Sequence, residues 1–334
     1  MSAQSLYMQP FLGEEDAQNM VAIAQSFGSF GTYAVESTSE SLGEKLPQRF
    51  DAALNYINAG INGEGNEEDP IKAVSRTNYF RETYAYGEDV SAAGIEALLH
   101  HPQLAKTASD ISGCTIIEPA IVYANILVPG QELAIHTDVP EFRGANRKVL
   151  PQWLLVTMLH SGLFDAWRIP IATCVAWFGA NQGGAFTYYP NGISGARECI
   201  TSDFNTAVIL DTDQVFHGVE RVAQKRVDVP TIGKDTRLHH MGADQWQLRE
   251  GDDVLSNYDW EELRYSISWK AYCFKDEAEQ QQWQNGDDEL SLEFILDTLE
   301  KELHTRGVIT GDRPNPTDFA LQLVGTFVQF PKNV

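Results

Sequence analysis

Apolar positions recur at three- and four-residue intervals in EEDAQNMVAIAQSF, beginning at residue 14, and again in LPQRFDAALNYINAGI, residues 46–61. That spacing predicts amphipathic helices, and residues 14 to 112 read as mostly helical. NGEGNEEDP, residues 62–70, combines turn formers with charge and predicts an exposed loop. From about residue 115 the pattern changes to short runs rich in Val, Ile, Thr and aromatics: TIIEPAIVYANILV, WLLVTMLHSGLF, ATCVAWFG, GAFTYYP, TAVILDTDQVF and RYSISWKAYCF. These predict strands. Turn formers such as VPGQ, GANQGG and YPNGISG separate them, as in strands that fold back on one another.

The predicted fold is therefore α+β, with a double-sheet jelly-roll core (a double-stranded β-helix) and packing helices from both terminal regions. A mostly helical region spans 1–115, the core 116–275, and a C-terminal helical region 276–334. Residues 223–262 interrupt the strand rhythm with a polar insertion holding His239 and His240, the signature of a lid or solvated loop. DDELSLEFILDTLEKELHTRG predicts a helix with acids early and His304 and Arg306 late, matching the helix dipole, that packs against the sheet.

The chain has 334 residues with ordinary apolar content, 43%, so it can bury a sizeable core. Its formal charge of −23 repels a phosphate backbone, which argues against nucleic acid as a partner. Cys114, Cys174, Cys199 and Cys273 form no C-x-x-C pair and read as buried thiols. No apolar run approaches the roughly 18 residues of a membrane span, and MSAQSLYMQPFLGEED lacks a leader pattern. No membrane partner is expected, and a cytoplasmic location is.

In ELAIHTDVPEF, His136 and Asp138 stand two positions apart, and on a strand such residues share a face. A third ligand is available in His217, where ILDTDQVF runs into a His-Gly step. Two histidines and one carboxylate on one face, with other positions open, form the ligand set of non-haem iron(II) oxygenases. An isolated H-x-D arises often by chance; the distal histidine on a later strand gives it weight. His100, His101, His160, His239, His240 and His304 have weaker claims, with His160 in a strand-like run reading as a core or cleft histidine.

Alternation in RYSISWKAYCF places Arg264, Ser266 and Ser268 on one face, and Tyr265, Ile267 and Trp269 on the other. A guanidinium with a neighbouring hydroxyl on an apolar strand suits a buried carboxylate; alone it would read as a structural ion pair.

The ordered set H-x-D, GGAFTYYP, AVILDTDQVFHGVERV and R-Y-S resembles the 2-oxoglutarate/iron(II)-dependent dioxygenase superfamily over roughly residues 116 to 275. The resemblance implies iron(II) on His136, Asp138 and His217, with the distal carboxylate of 2-oxoglutarate on Arg264 and Ser266. Tyr123 and Asn125 share a strand face before the metal motif, where family members often touch the cosubstrate. The family's arginine usually follows the distal histidine closely, whereas here 47 positions separate His217 from Arg264. Arg226 is the nearer rival, but Arg264 has the strand pattern and the neighbouring serine. The retained Asp138 disfavours halogenation, because related iron halogenases carry a small residue there.

The implied activity uses iron(II), 2-oxoglutarate and dioxygen to oxidise a C–H bond, by hydroxylation, desaturation or ring closure. The implied substrate is a small molecule such as an amino acid or natural-product intermediate. Arg76 and Arg81 in SRTNYFRETYAYG are candidates for an anionic group on it, and the insertion at 223–262 is a candidate lid. Two alternatives stay open: a cupin-type metalloenzyme without 2-oxoglutarate, and a ligand-binding sandwich without activity.

Overall fold

The computed structural model describes residues 4–33, 70–223 and 229–331. The predicted helix at 46–61, most of the loop at 62–70 and the rival Arg226 lie outside the described residues. The strands are β1 (Ser5–Met8), β2 (Ser29–Thr32), β3 (Phe80–Tyr86), β4 (Asp89–Val90), β5 (Ile116–Leu127), β6 (Leu133–His136), β7 (Glu141–Phe142), β8 (Arg168–Ile169) and β9 (Ile171–Trp177). They continue with β10 (Phe186–Tyr188), β11 (Glu198–Ile200), β12 (Thr206–Leu210), β13 (His217–Val219), β14 (Thr236–Gly242), β15 (Gln245–Glu250), β16 (Asp253–Asp259) and β17 (Arg264–Phe274).

A large antiparallel sheet runs β1-β12-β9-β17-β5-β3-β2-β14-β15-β16, and a small one runs β11-β10-β13-β6. Along the chain, β5, β9, β12 and β17 enter the large sheet, while β6, β10, β11 and β13 enter the small one. This is the alternation of a jelly roll, as the strand pattern predicts.

Period-two alternation decides what each face of the large sheet touches. Val122, Ala124 and Ile126 of β5, with Ile267, Trp269 and Ala271 of β17, join Ala17, Met20 and Leu104 in the main core. The helices Glu14–Phe27 and Pro102–Ser112 cover that outer face. The opposite residues, among them Val175, Trp177 and Val208, meet Phe186 and Tyr188 of the small sheet.

The structure corrects several expectations. WLLVTMLHSGLF forms the helix Gln152–Ser161, stopped by Gly162 in the left-handed region, and not a strand. Its apolar run lacks alternation, which leaves strand and buried helix equivalent by pattern alone. Leu154, Leu155 and Met158 pack with Leu299 and Leu303 of the helix Leu292–Thr305 and with Phe319 and Leu323 of the helix Pro316–Phe327. The C-terminal helix therefore packs into this separate helical cluster, not onto the sheet.

The described residues between 14 and 112 include strands as well as helices. β2 and β3 carry the large sheet outward from β5, and SRTNYFRETYAYG contributes β3 itself. Within the insertion, β14, β15 and β16 form a meander that extends the sheet through β2, with Leu238, Trp246 and Leu248 fully buried. Its described residues line no part of the central cavity, so the lid reading is not supported there. Cys199 is exposed; Cys114, Cys174 and Cys273 are buried thiols. Among the described residues no helix is long and apolar enough to cross a membrane.

Candidate active site

His136 ends β6 and His217 begins β13, and the two stand directly opposite in the antiparallel register. Their rings lie 4.3 Å apart. Gly218 makes that approach possible, since a Cβ there would sit 2.6 Å from the Leu133 carbonyl oxygen. Asp138 lies just beyond β6. Its backbone N–H donates to the Thr212 carbonyl at 2.9 Å, tying this loop to the turn before β13. The chain thus brings together residues 79 positions or more apart without needing all three on strands.

Nδ1 of His136 lies 2.7 Å from the Ala134 carbonyl, and Nδ1 of His217 lies 2.8 Å from that of Val215. Each ring nitrogen donates there, which leaves Nε2 of both rings as the metal-facing lone pair. The Asp138 Oδ1 atom stands 3.6 Å from one Nε2 and 3.9 Å from the other. Ligand atoms of all three residues fall within 4.8 Å of one another, a spacing that suits one divalent ion. Burial pushes the Asp138 carboxyl up, but Lys270 and the two imidazoles outweigh it and hold the group well below its ordinary value. It is a carboxylate, as a ligand must be.

A cavity of about 300 Å³ opens onto this group, and Tyr123, Asn125, Arg264, Ser266, Ser268 and Lys270 line its large-sheet wall. Asn125 pairs with Ser266 across β5 and β17, and Arg81 pairs with Asn125 across β3 and β5. Arg81, Asn125 and Ser266 therefore form one row across three strands.

Arg264 is 2% exposed. Its Nε donates to the Gly184 carbonyl at 2.7 Å and its Nη1 to Ser266 Oγ at 3.4 Å, while Nη2 has no partner. Burial pulls this guanidinium down to about 9, and no acid offsets it. A buried cation without a counter-ion is costly unless a ligand supplies the anion. Asn125 Oδ1 is likewise buried without a partner. Gly184 makes room for the anchor, as a Cβ there would meet Arg264 Cδ at 2.7 Å.

The two candidate substrate arginines separate. Arg81 lines the cavity, stacked at 3.5 Å over the Tyr123 ring and at 4.7 Å over Tyr33. Burial works against its charge, but the surrounding tyrosines favour it and keep it firmly protonated. Arg76 instead pairs with Glu132, which also takes Arg221 Nε at 3.2 Å, and it is not among the residues lining this cavity.

His160 sits on the helix Gln152–Ser161, where Nε2 meets Thr137 Oγ1 at 3.2 Å and the ring stacks on Phe216. Burial lowers it to about 4, so it stays neutral. It braces the residue between the two ligands of the H-x-D motif. His100 and His101 sit at helix ends, His239 and His240 on β14, and His304 on the C-terminal helix.

Two features escaped the sequence reading. Lys270 Nζ lies 2.7 Å from Asp138 Oδ2. Extending the alternation of Arg264, Ser266 and Ser268 by one more step would have put Lys270 on the cavity face. Farther along, the Tyr272 hydroxyl donates to Glu141 at 2.9 Å, and both line the cavity beside Arg147 and Lys148. Nothing local marks that pair.

No protein-family model matches the chain, and no curated protein sequence matches it. Solved structures with similar folds include the non-heme alpha ketoglutarate dependent carbocyclase SnoK from nogalamycin biosynthesis, at 9% identity and a TM-score of 0.43 over 87% of this chain and 90% of that one. A Pseudomonas putida prolyl-4-hydroxylase is similar at 10% identity and a TM-score of 0.40, over 82% and 94% of the two chains. HygX from Streptomyces hygroscopicus, solved with nickel, 2-oxoglutarate and hygromycin B bound, is similar at 10% identity and a TM-score of 0.39, over 81% and 84%. At such scores the chemistry has to be argued from the residues of the cavity.

Proposed function

We propose that this protein is an iron(II)- and 2-oxoglutarate-dependent oxygenase acting on a C–H bond of a small molecule. The observation that carries the reading is the meeting, in one cavity, of the His136, Asp138 and His217 ligand atoms with a buried Arg264 that no acid neutralises. A metal-binding jelly roll without a cosubstrate would leave that guanidinium unexplained.

His136, Asp138 and His217 would hold the iron, whose reaction with 2-oxoglutarate and dioxygen supplies the oxidant, one oxygen atom ending in succinate and the other in the hydroxylated product as carbon dioxide leaves. The protein's own task is placement. Arg264 and Ser266 take the far carboxylate of 2-oxoglutarate in a charge-assisted, two-pronged contact, and Asn125 faces the same space. Tyr123 packs its ring beneath Arg81 and shapes the wall between cosubstrate and substrate. Arg81, charged and without an acid partner among the described residues, favours a substrate bearing an anionic group, such as an amino acid or an acidic natural-product intermediate.

Anaerobic titration with iron(II) and 2-oxoglutarate tests the proposal. A weak visible charge-transfer band is expected in the wild type and not in His217→Ala. A wild type that stays colourless while 2-oxoglutarate fails to bind would remove the cosubstrate from the reading.

A further inference from the structure

Lys270 belongs to the cavity face of β17, two residues beyond Ser268, and Arg264 lies toward the other end of the same strand. Its side chain and that of Asp138 are only 12% and 16% exposed. The ammonium engages one carboxylate oxygen, Oδ2, at 2.7 Å, whereas the other, Oδ1, faces both imidazole Nε2 atoms. Thr212 steadies the arrangement from two sides. Its carbonyl accepts the Asp138 backbone N–H, and its hydroxyl stands 3.5 Å from Lys270 Nζ and 2.7 Å from Thr173 Oγ1.

A carboxylate ligand binds a metal through one oxygen or through both. Rotation about its last torsion converts one mode into the other, and the second oxygen then fills a position that a facial triad leaves open. A charge-assisted hydrogen bond on Oδ2 opposes that rotation. Resting on the metal-centre reading above, we infer that Lys270 is a positioning residue that restricts Asp138 to a single metal-ligating oxygen, Oδ1, and so keeps a coordination position available to the cosubstrate.

Cobalt(II) replaces iron for the test, since its visible ligand-field bands report coordination number without turnover. Wild type, Lys270→Met and Lys270→Arg are loaded anaerobically and compared by absorption and X-ray absorption spectroscopy. Lys270→Met is expected to gain an oxygen ligand and weaken these bands, with Lys270→Arg resembling wild type. With iron, Lys270→Met is expected to lose roughly ten- to a hundred-fold in kcat/KM for 2-oxoglutarate, because the second Asp138 oxygen competes for the position the cosubstrate needs even though Arg264 is intact. Identical cobalt spectra for wild type and Lys270→Met would overturn the inference. So would a metal-loaded wild-type structure with both Asp138 oxygens on the ion, a measurement that stands even if Lys270→Met fails to fold. A wild type that takes up no cobalt would overturn the metal centre and this inference together, whereas a bound metal with indifferent Lys270 variants would overturn this inference alone.

Discussion

Arg264 is held from behind by the Gly184 carbonyl and from the side by Ser266, with one nitrogen left for a ligand. Replacing it with leucine removes a charge-assisted contact of about 2 kcal/mol, so Arg264→Leu is expected to weaken 2-oxoglutarate binding roughly thirty-fold by calorimetry. Arg226→Leu should leave binding unchanged; the opposite pattern would move the anchor. Gly184→Ala is expected to weaken binding as well, because its Cβ would displace the Arg264 side chain at a position whose φ of +68° already disfavours alanine. His160 makes a prediction of a different kind. Burial lowers its folded value to about 4 from an ordinary 6.5. The stability it contributes is present above the ordinary value and is lost as pH falls from there through the folded one. The melting temperature of His160→Asn should therefore fall less steeply than that of wild type between pH 6.5 and 4. Parallel curves would show that His160 is not the group being strained.

At the scale of elements, β17 unites the site, with Arg264 and the lysine beside Asp138 both on its cavity face. Its alternation was legible in the sequence, but the run TAVILDTDQVF, which reads as one strand ending at His217, divides into β12 and β13 in different sheets. The helix Gln152–Ser161 was not legible, because an unbroken apolar run satisfies a strand and a buried helix equally until its packing partners are known. The meander β14–β16 was missed for a related reason. Its polar residues face solvent on one side, and its buried Trp246 is matched to Phe30, more than 200 positions away in the chain. Trp246→Ala is expected to lower stability by about 3–5 kcal/mol, as truncation of a fully buried tryptophan does. The KM for 2-oxoglutarate should stay at its wild-type value in the folded protein. A changed KM with unchanged melting would restore the meander as a lid.

The whole molecule carries a formal charge of −23, yet its cavity gathers Arg81, Arg147, Lys148, Arg264 and Lys270 against Asp138 and Glu141. β3 and β17 contribute Arg81, Arg264 and Lys270 to the cavity lining, and the turn after β7 adds Arg147 and Lys148. A metal that binds only the folded protein stabilises it by mass action, by about 2.7 kcal/mol at a hundred times its dissociation constant. Anaerobic iron(II) or cobalt(II) is thus expected to raise the melting temperature of wild type and not of His217→Ala, and equal shifts in both would place the ion elsewhere. What the sequence by itself determined is what depends on near neighbours: the period-two faces of β5 and β17, the donor types at 136, 138 and 217, and the guanidinium beside a serine. Only the tertiary structure decided which of these meet. The pairing of Lys270 with Asp138, the neutralisation of Arg76 by Glu132, and, among the described residues, the lack of an acid partner for Arg81 and Arg264 all arise between distant segments. Burial and charge compensation are properties of the packed interior, and no local pattern encodes them.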